Sequence, residues 1–159
     1  MHFYFLSWKR QLDELAKLPV FLRPQSPKDL LSAYPNAILG VNTAQLYLKV
    51  PGCRTTGHQE NSNLCSINLN IGPGDCRWFA VAHEHWPEID ALCRRYRRIK
   101  QSNKLINYCR DGLDYVKDSW WPNVGDLQVS GIPYTEFVQR PGEIVFVSCG
   151  TVHWVESIV

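Results

Sequence analysis

No C-x-x-C pair occurs among the six cysteines of this sequence, Cys53, Cys65, Cys76, Cys93, Cys109 and Cys149. Structural zinc sites usually rest on such a knuckle, so no zinc site is expected. Long apolar runs are missing too. Nothing approaches the roughly 18 residues needed to cross a bilayer, and no membrane partner is expected. The apolar start Met1–Leu6 meets Lys9 and Arg10 too soon for a secretory leader. Repeats, low-complexity tracts and convincing linkers are absent, which argues against solenoids and strings of modules. The expectation is a soluble intracellular domain with reduced thiols. A disulfide framework is the alternative, in a chain whose size does not require one.

What the sequence does hold is apolar. Of its 159 residues 45% are hydrophobic and 12% aromatic, enough for one core and too much for a disordered chain. The net charge is +2, from 17 basic and 15 acidic residues. Seven of the 17 (Arg94, Arg95, Arg97, Arg98, Lys100, Lys104 and Arg110) crowd into one stretch without an acid, leaving 10 basic against 15 acidic residues elsewhere. A solvated helix face accounts for such a stretch, and an anion or nucleic-acid contact is the alternative. No sequence-specific DNA binding is expected.

Hydrophobic period gives the elements. Trp8, Leu12, Leu15 and Leu18 recur at helical spacing, with Ser7 as cap and Pro19 as stop. Ser26-Pro27-Lys28-Asp29 opens a second short helix, with Ser26 as its cap. From Gln45 the period falls to two. Leu46, Leu48 and Val50 alternate with Gln45, Tyr47 and Lys49, then Ile67, Leu69 and Ile71 alternate with Ser66, Asn68 and Asn70. Both stretches read as strands with one buried apolar face. Gly72-Pro73-Gly74-Asp75 is a turn before a strand at Arg77–Val81. Pro87 opens a helix striped by Ile89, Leu92, Cys93, Tyr96 and Ile99, and Val124–Val129 forms a shorter helix before Gly131. Strands return at Thr135–Gln139, Glu143–Val147 and His153–Val159, the first two joined as a hairpin by Arg140-Pro141-Gly142-Glu143. The fold class is therefore mainly β with helical decorations, a sandwich or jelly roll.

Two groups of residues could carry chemistry. His58 and Glu60 stand two apart, so on a strand they point to one side, and His153 follows much later at the start of another strand. Two histidines and one carboxylate on one metal, with three positions left open, is the facial triad of non-haem Fe(II) oxygenases. The rival is His83-Glu84-His85 with Glu88, which has no matching distant ligand and reads as a surface loop. Should the strands wrap into a barrel, Tyr47, Lys49, Ser66 and Asn68 would face inward. A buried lysine then needs an anion, such as a dicarboxylate. The other possibility is that this polar face meets solvent.

The wording of the sequence narrows the choice. The stretch Gly40–Asn63, with Lys49, Thr55, His58 and Glu60 inside it, resembles the JmjC core of the histone H3 lysine-27 demethylases. So do Cys65–Phe79, Ser119-Trp120-Trp121-Pro122, Phe137–Glu143 and Gly150–Val155, all in family order. This resemblance implies a double-stranded β-helix, the jelly roll of the cupin-like JmjC fold, over residues 40–159, with residues 1–39 as a helical segment packed on it. It implies Fe(II) held by His58, Glu60 and His153, and 2-oxoglutarate and O2 as cosubstrates. Lys49 and Thr55 would bind the far carboxylate of 2-oxoglutarate, assisted by Asn68 and Ser66, and Tyr47 would line the substrate channel. The implied reaction removes methyl groups from lysine 27 of the histone H3 tail as formaldehyde, in the nucleus and within a chromatin-associated complex.

Two departures from the family pattern qualify these expectations. Residues near 94–110 look like a basic insertion, and the family's final jelly-roll strand and zinc-binding domain are not found after His153. A C-terminally truncated domain is the expectation, with an inactive scaffold and a JmjC protein hydroxylase as alternatives to the demethylase.

Overall fold

A computed structural model describes residues 17–23, 29–95 and 120–158. The chain divides into two compact units, Met1–Leu48 and Lys49–Val159. In the first, single 3-10 turns occupy Val20–Leu22 and Leu30–Ala33. Asp29 caps the second turn: its carboxylate accepts from Leu31 N at 3.1 Å and from Ser32 Oγ at 2.8 Å. An acid at the positive end of the turn satisfies two donors at once. Ser26 and Pro27 lie outside the described residues, as does nearly all of the helix expected from Trp8 to Leu18.

The strand expected at Gln45–Val50 does not form. That segment carries no ladder with any described residue, and Leu46, Leu48 and Val50 are 39%, 89% and 65% exposed. Alternation makes a two-faced segment, but a strand also needs a neighbour's backbone groups to pair with.

The described residues of the second unit form six strands: β1 (Arg54–His58), β2 (Ser66–Leu69), β3 (Asp75–Val81), β4 (Thr135–Gln139), β5 (Ile144–Val147) and β6 (Val152–Ile158). Two helices accompany them, α1 (Trp86–Arg95) and α2 (Val124–Val129). One antiparallel sheet runs β1-β6-β3-β4, and a two-stranded antiparallel sheet pairs β2 with β5. This is a jelly-roll arrangement, and the expected fold class holds.

Burial follows from where each strand sits. β3 and β6 are central in the larger sheet and are covered on both faces. Phe79, Val81, Val152 and Trp154 pack with Ile89, Leu92 and Cys93 of α1, Leu127 of α2, and Trp120. On the opposite face Cys76, Trp78 and Val155 meet Val145 and Val147 of β5. Ile89 and Cys93 are fully buried, as the helical stripe requires, while Tyr96 and Ile99 lie outside the described residues. Asn123 caps α2, its side chain accepting from Gly125 N at 2.8 Å.

Two connections differ from expectation. Glu143 N donates to Arg140 O at 3.0 Å and Gly142 takes φ +86°, so the Pro-Gly turn forms as the sequence requires. Its flanking strands, however, do not make a hairpin. β4 pairs with β3, whereas β5 crosses to β2. In β2 and the two residues after it the inward face is the polar one: Asn70 is 3% exposed, while Ile67 and Ile71 are 47% and 67% exposed. The barrel alternative wins over the buried apolar face because Ser66, Asn68 and Asn70 all find hydrogen-bond partners inside.

Gly57 of β1 lets the Trp120-Trp121-Pro122 segment lie against the strand. Its N–H donates to Trp120 O at 2.6 Å, and a Cβ here would stand 3.0 Å from Trp120 Cε3 and 3.2 Å from Pro122 Cγ. Gly57→Val should therefore cost about 2 kcal/mol through overpacking of two ring systems. Urea denaturation checks it; an unchanged midpoint would show that the segment simply moves aside.

Candidate metal centre

Three elements deliver the candidate ligands. His58 ends β1, Glu60 lies just beyond it, and His153 is the second residue of β6. The β1–β6 register sets His58 opposite His153, which brings distant parts of the chain together by backbone pairing alone. Glu60 is outside the strand, contrary to a simple H-x-E strand. Its backbone nevertheless stays extended (φ −62°, ψ 152°), so the carboxylate still projects to the side of His58. The potential ligand atoms of His58, Glu60 and His153 all lie within 4.8 Å of one another. The His153 Nε2 to Glu60 Oε1 distance is 3.6 Å, and the two imidazole centroids are 4.2 Å apart at 51°.

Backbone carbonyls choose the tautomers. His58 Nδ1 lies 2.8 Å from Thr56 O, and His153 Nδ1 lies 3.2 Å from Thr151 O. A carbonyl only accepts, so each Nδ1 carries a proton, and in the neutral ring that metal binding requires Nε2 presents the lone pair. Outer-shell bonds of this kind orient metal-binding histidines. Ser66 Oγ donates to Glu60 Oε1 at 2.5 Å and holds the carboxylate in the same way. Two neutral nitrogens and one oriented carboxylate fit a divalent cation, with positions left for further ligands.

Burial pushes the His153 pKa below its ordinary 6.5; neighbouring His58 lowers it further, while the Thr151 carbonyl and Glu60 pull the other way. The sign of the consequence is fixed. Unfolded chains take up a proton at this position near 6.5, and the folded protein resists it, so protonation favours unfolding. Metal-free stability should be full above about pH 6.5 and fall as pH drops below it. Urea midpoints in chelator at about pH 7.5 and about pH 5.5 measure this; a midpoint that rises on acidification would contradict it.

Behind His153 stands a group that the sequence did not advertise. Trp78 stacks on His153, with centroids 5.7 Å apart and planes at 16°, and on Phe137 at 6.1 Å. The Trp78 Nε1–H donates to Gln139 Oε1 at 2.8 Å. Gln139 is 1% exposed and donates in turn to Asn68 O, Asn68 Oδ1 and Glu143 O. One signal was available: Gln139 shares its strand face with Phe137, so a period of two already places it inward.

The other predicted residues are spread around this framework. Lys49 Nζ contacts the buried Cys76 sulfur, and Cys76 is opposite Gln139 in the β3–β4 register. Asn68 is held by Gln139 as described. Thr55 pairs with Val155 across β1 and β6 and is half-buried. Ser66 serves Glu60. Tyr47, in the first unit, is 60% exposed and donates to Gln45 Oε1 at 2.8 Å. Of the rival cluster, His83–His85 form a 3-10 turn with His83 and Glu84 exposed, in which the half-buried His85 approaches Glu84 and Glu88. Among the described residues, the His58, Glu60 and His153 group alone has metal-binding spacing.

Fold and site together define a jelly-roll protein with a candidate two-histidine, one-carboxylate metal centre. A family model described as JmjC domain, hydroxylase matches residues 45–159, and the chain belongs to that family. It is 52% identical over 150 residues to lysine-specific demethylase 6B of Homo sapiens, covering 94% of this chain and 8% of that protein. It is 37% identical over 151 residues to lysine-specific demethylase jmjd-3.1 of Caenorhabditis elegans, covering 95% of this chain and 13% of that protein. The chain thus spans a small part of the length of these relatives. The JmjC membership expected from its motifs is shown.

Proposed function

We propose that this chain is a JmjC catalytic module that demethylates lysine 27 of the histone H3 tail, working in the nucleus within a chromatin-associated complex. One observation carries the proposal: two Nε2 lone pairs and an oriented carboxylate converge on one point. The names of the two relatives support lysine as the substrate residue.

In this proposal His58, Glu60 and His153 hold Fe(II). Bound there with 2-oxoglutarate and O2, the metal supplies the oxidation of an N-methyl group, yielding succinate, CO2 and formaldehyde. The chain's own residues supply geometry and exclusion of water. Thr56 and Thr151 fix the imidazoles through their carbonyls, and Ser66 aims Glu60. Ser66 acts on the metal ligand more directly than on 2-oxoglutarate. Trp78 closes the apolar side of the site by covering one face of His153.

Lys49, Asn68 and Thr55 bind 2-oxoglutarate, with Ser66 close by. Support comes from two contacts that lead to the same register pair: Lys49 reaches Cys76, and Asn68 is bonded to Gln139. Lys49 is itself exposed, in a segment that forms no strand, so its ammonium is open to an incoming carboxylate, which it can bind by a charge-assisted hydrogen bond.

The test is an assay of the whole chain with Fe(II), 2-oxoglutarate and a trimethyl-lysine H3 peptide, following succinate, formaldehyde and peptide mass together. Equal succinate and formaldehyde with stepwise loss of methyl groups is the expected result. A peptide gaining one oxygen without formaldehyde would instead identify a protein hydroxylase. Absence of the visible charge-transfer band of anaerobic Fe(II) and 2-oxoglutarate, in folded protein, would replace catalysis by a scaffold role.

A further inference from the structure

Two exposed thiols meet outside the metal centre. Cys65 Sγ and Cys149 Sγ are 3.1 Å apart although 84 positions separate them in the chain. Strand register explains the encounter. Ser66 is opposite Val147 in the β2–β5 pair, so the segment entering β2 and the segment leaving β5 run side by side. Cys65 is the last residue before β2, and Cys149 sits in the turn after β5. The same two segments are joined again nearby, where Gln59 Nε2 donates to Gly150 O at 2.7 Å.

The remaining thiols are placed differently. Cys76 and Cys93 are buried, and the exposed Cys53 sulfur accepts from Val50 N at 3.5 Å. Cys109 lies outside the described residues. Reduced compartments keep most thiols apart from oxidation, and a proximal, accessible pair is the arrangement that reversible redox chemistry uses there.

We propose that Cys65 and Cys149 form a modification site, a thiol pair that closes to a reversible disulfide with a low-molecular-weight disulfide as oxidant. The bond would tie the segment that carries Glu60 and Ser66 to the one that leads into His153. The inference stands whatever the metal centre does.

The chemistry is two thiol–disulfide exchanges. One cysteine thiolate attacks a sulfur of oxidised glutathione, breaking its S–S bond, forming a mixed disulfide and releasing one glutathione thiolate. The second cysteine then loses its proton and attacks the protein sulfur of that mixed disulfide, releasing the second glutathione. Two cysteine thiols are oxidised and one glutathione disulfide is reduced to two thiols. The hydrogen bond and charge of Cys65, with some desolvation, push the Cys149 thiol up. Either sulfur can begin the exchange, and its neighbour resolves the mixed disulfide.

The experiment uses the whole reduced chain, equilibrated in glutathione buffers of increasing oxidised fraction, acid-quenched, alkylated and digested without reductant. The expected result is loss of alkylation at Cys65 and Cys149 together, with one peptide linking them that dithiothreitol removes. In concentrated urea that preference should vanish among the six cysteines. Cys149→Ser should convert Cys65 to its glutathione adduct; should that variant fail to fold, the wild-type map decides alone. Three results would each overturn the proposal: both sulfurs stay alkylated throughout, both stop at separate glutathione adducts, or the linkage is as frequent in urea as in buffer.

Discussion

His153→Ala should weaken Co(II) or Mn(II) binding by the folded chain by at least about 100-fold, since even outer-shell changes cost 10–100-fold. The residue is 3% exposed and holds its Nε2 3.6 Å from Glu60 Oε1, so its loss removes one of three converging donors. Removing it also strips a stacking partner from Trp78. Stability must therefore be read beside affinity, and circular dichroism has to show the variant folded. His58→Ala should lose as much, and the double variant scarcely more, because ligands of one metal act as a unit. Ser66→Ala should fall in between, at about 10-fold, through a less well aimed Glu60. Titration calorimetry on chelator-treated protein measures all four. Equal affinity in wild type and His153→Ala would place the metal elsewhere.

That centre was legible because strand geometry is periodic. Two residues apart on one extended segment share a side, and His58 and Glu60 keep that relation although the strand ends between them. Helix α1 was legible for the same reason, from Ile89, Leu92 and Cys93. Period alone fails where pairing decides. Leu46, Leu48 and Val50 alternate as well as any strand here, yet no described strand pairs with them. The Pro-Gly turn at 141–142 forms as its residues dictate, yet local turn chemistry says nothing about which sheet the next strand joins. Whether β2 buries its isoleucines or its asparagines was likewise open, because both faces are regular. The answer depends on partners far along the chain, such as Gln139 for Asn68. The thiol pair was illegible for that reason too: Cys65 and Cys149 meet only through the β2–β5 register.

Gln139→Leu should destabilise the chain by about 3 kcal/mol, the cost of leaving buried polar groups without partners. The substitution nearly preserves volume, so cavity formation contributes little. What it removes is a cross-sheet clamp. Gln139 ends β4 in the larger sheet, and its amide donates to Asn68 O at 3.2 Å, Asn68 Oδ1 at 3.3 Å and Glu143 O at 2.9 Å, all in or beside the smaller sheet. Its Oε1 takes the indole proton of Trp78. Without it the indole N–H and the Asn68 side-chain oxygen lose a buried partner; Glu143 O keeps one, from Asn70 N at 3.1 Å. Two orphans at about 1–3 kcal/mol each set the estimate. Against a total margin of about 5–15 kcal/mol this lowers the melting temperature by roughly 10 °C in a domain of this size. Trp78→Phe removes one orphan, so the double variant should cost less than the sum of the two single changes. Strict additivity would mean that the Trp78–Gln139 bond carries no coupling. A Gln139→Leu cost below about 0.5 kcal/mol would mean that the two sheets are held by apolar packing of Trp78, Val145 and Val147 alone.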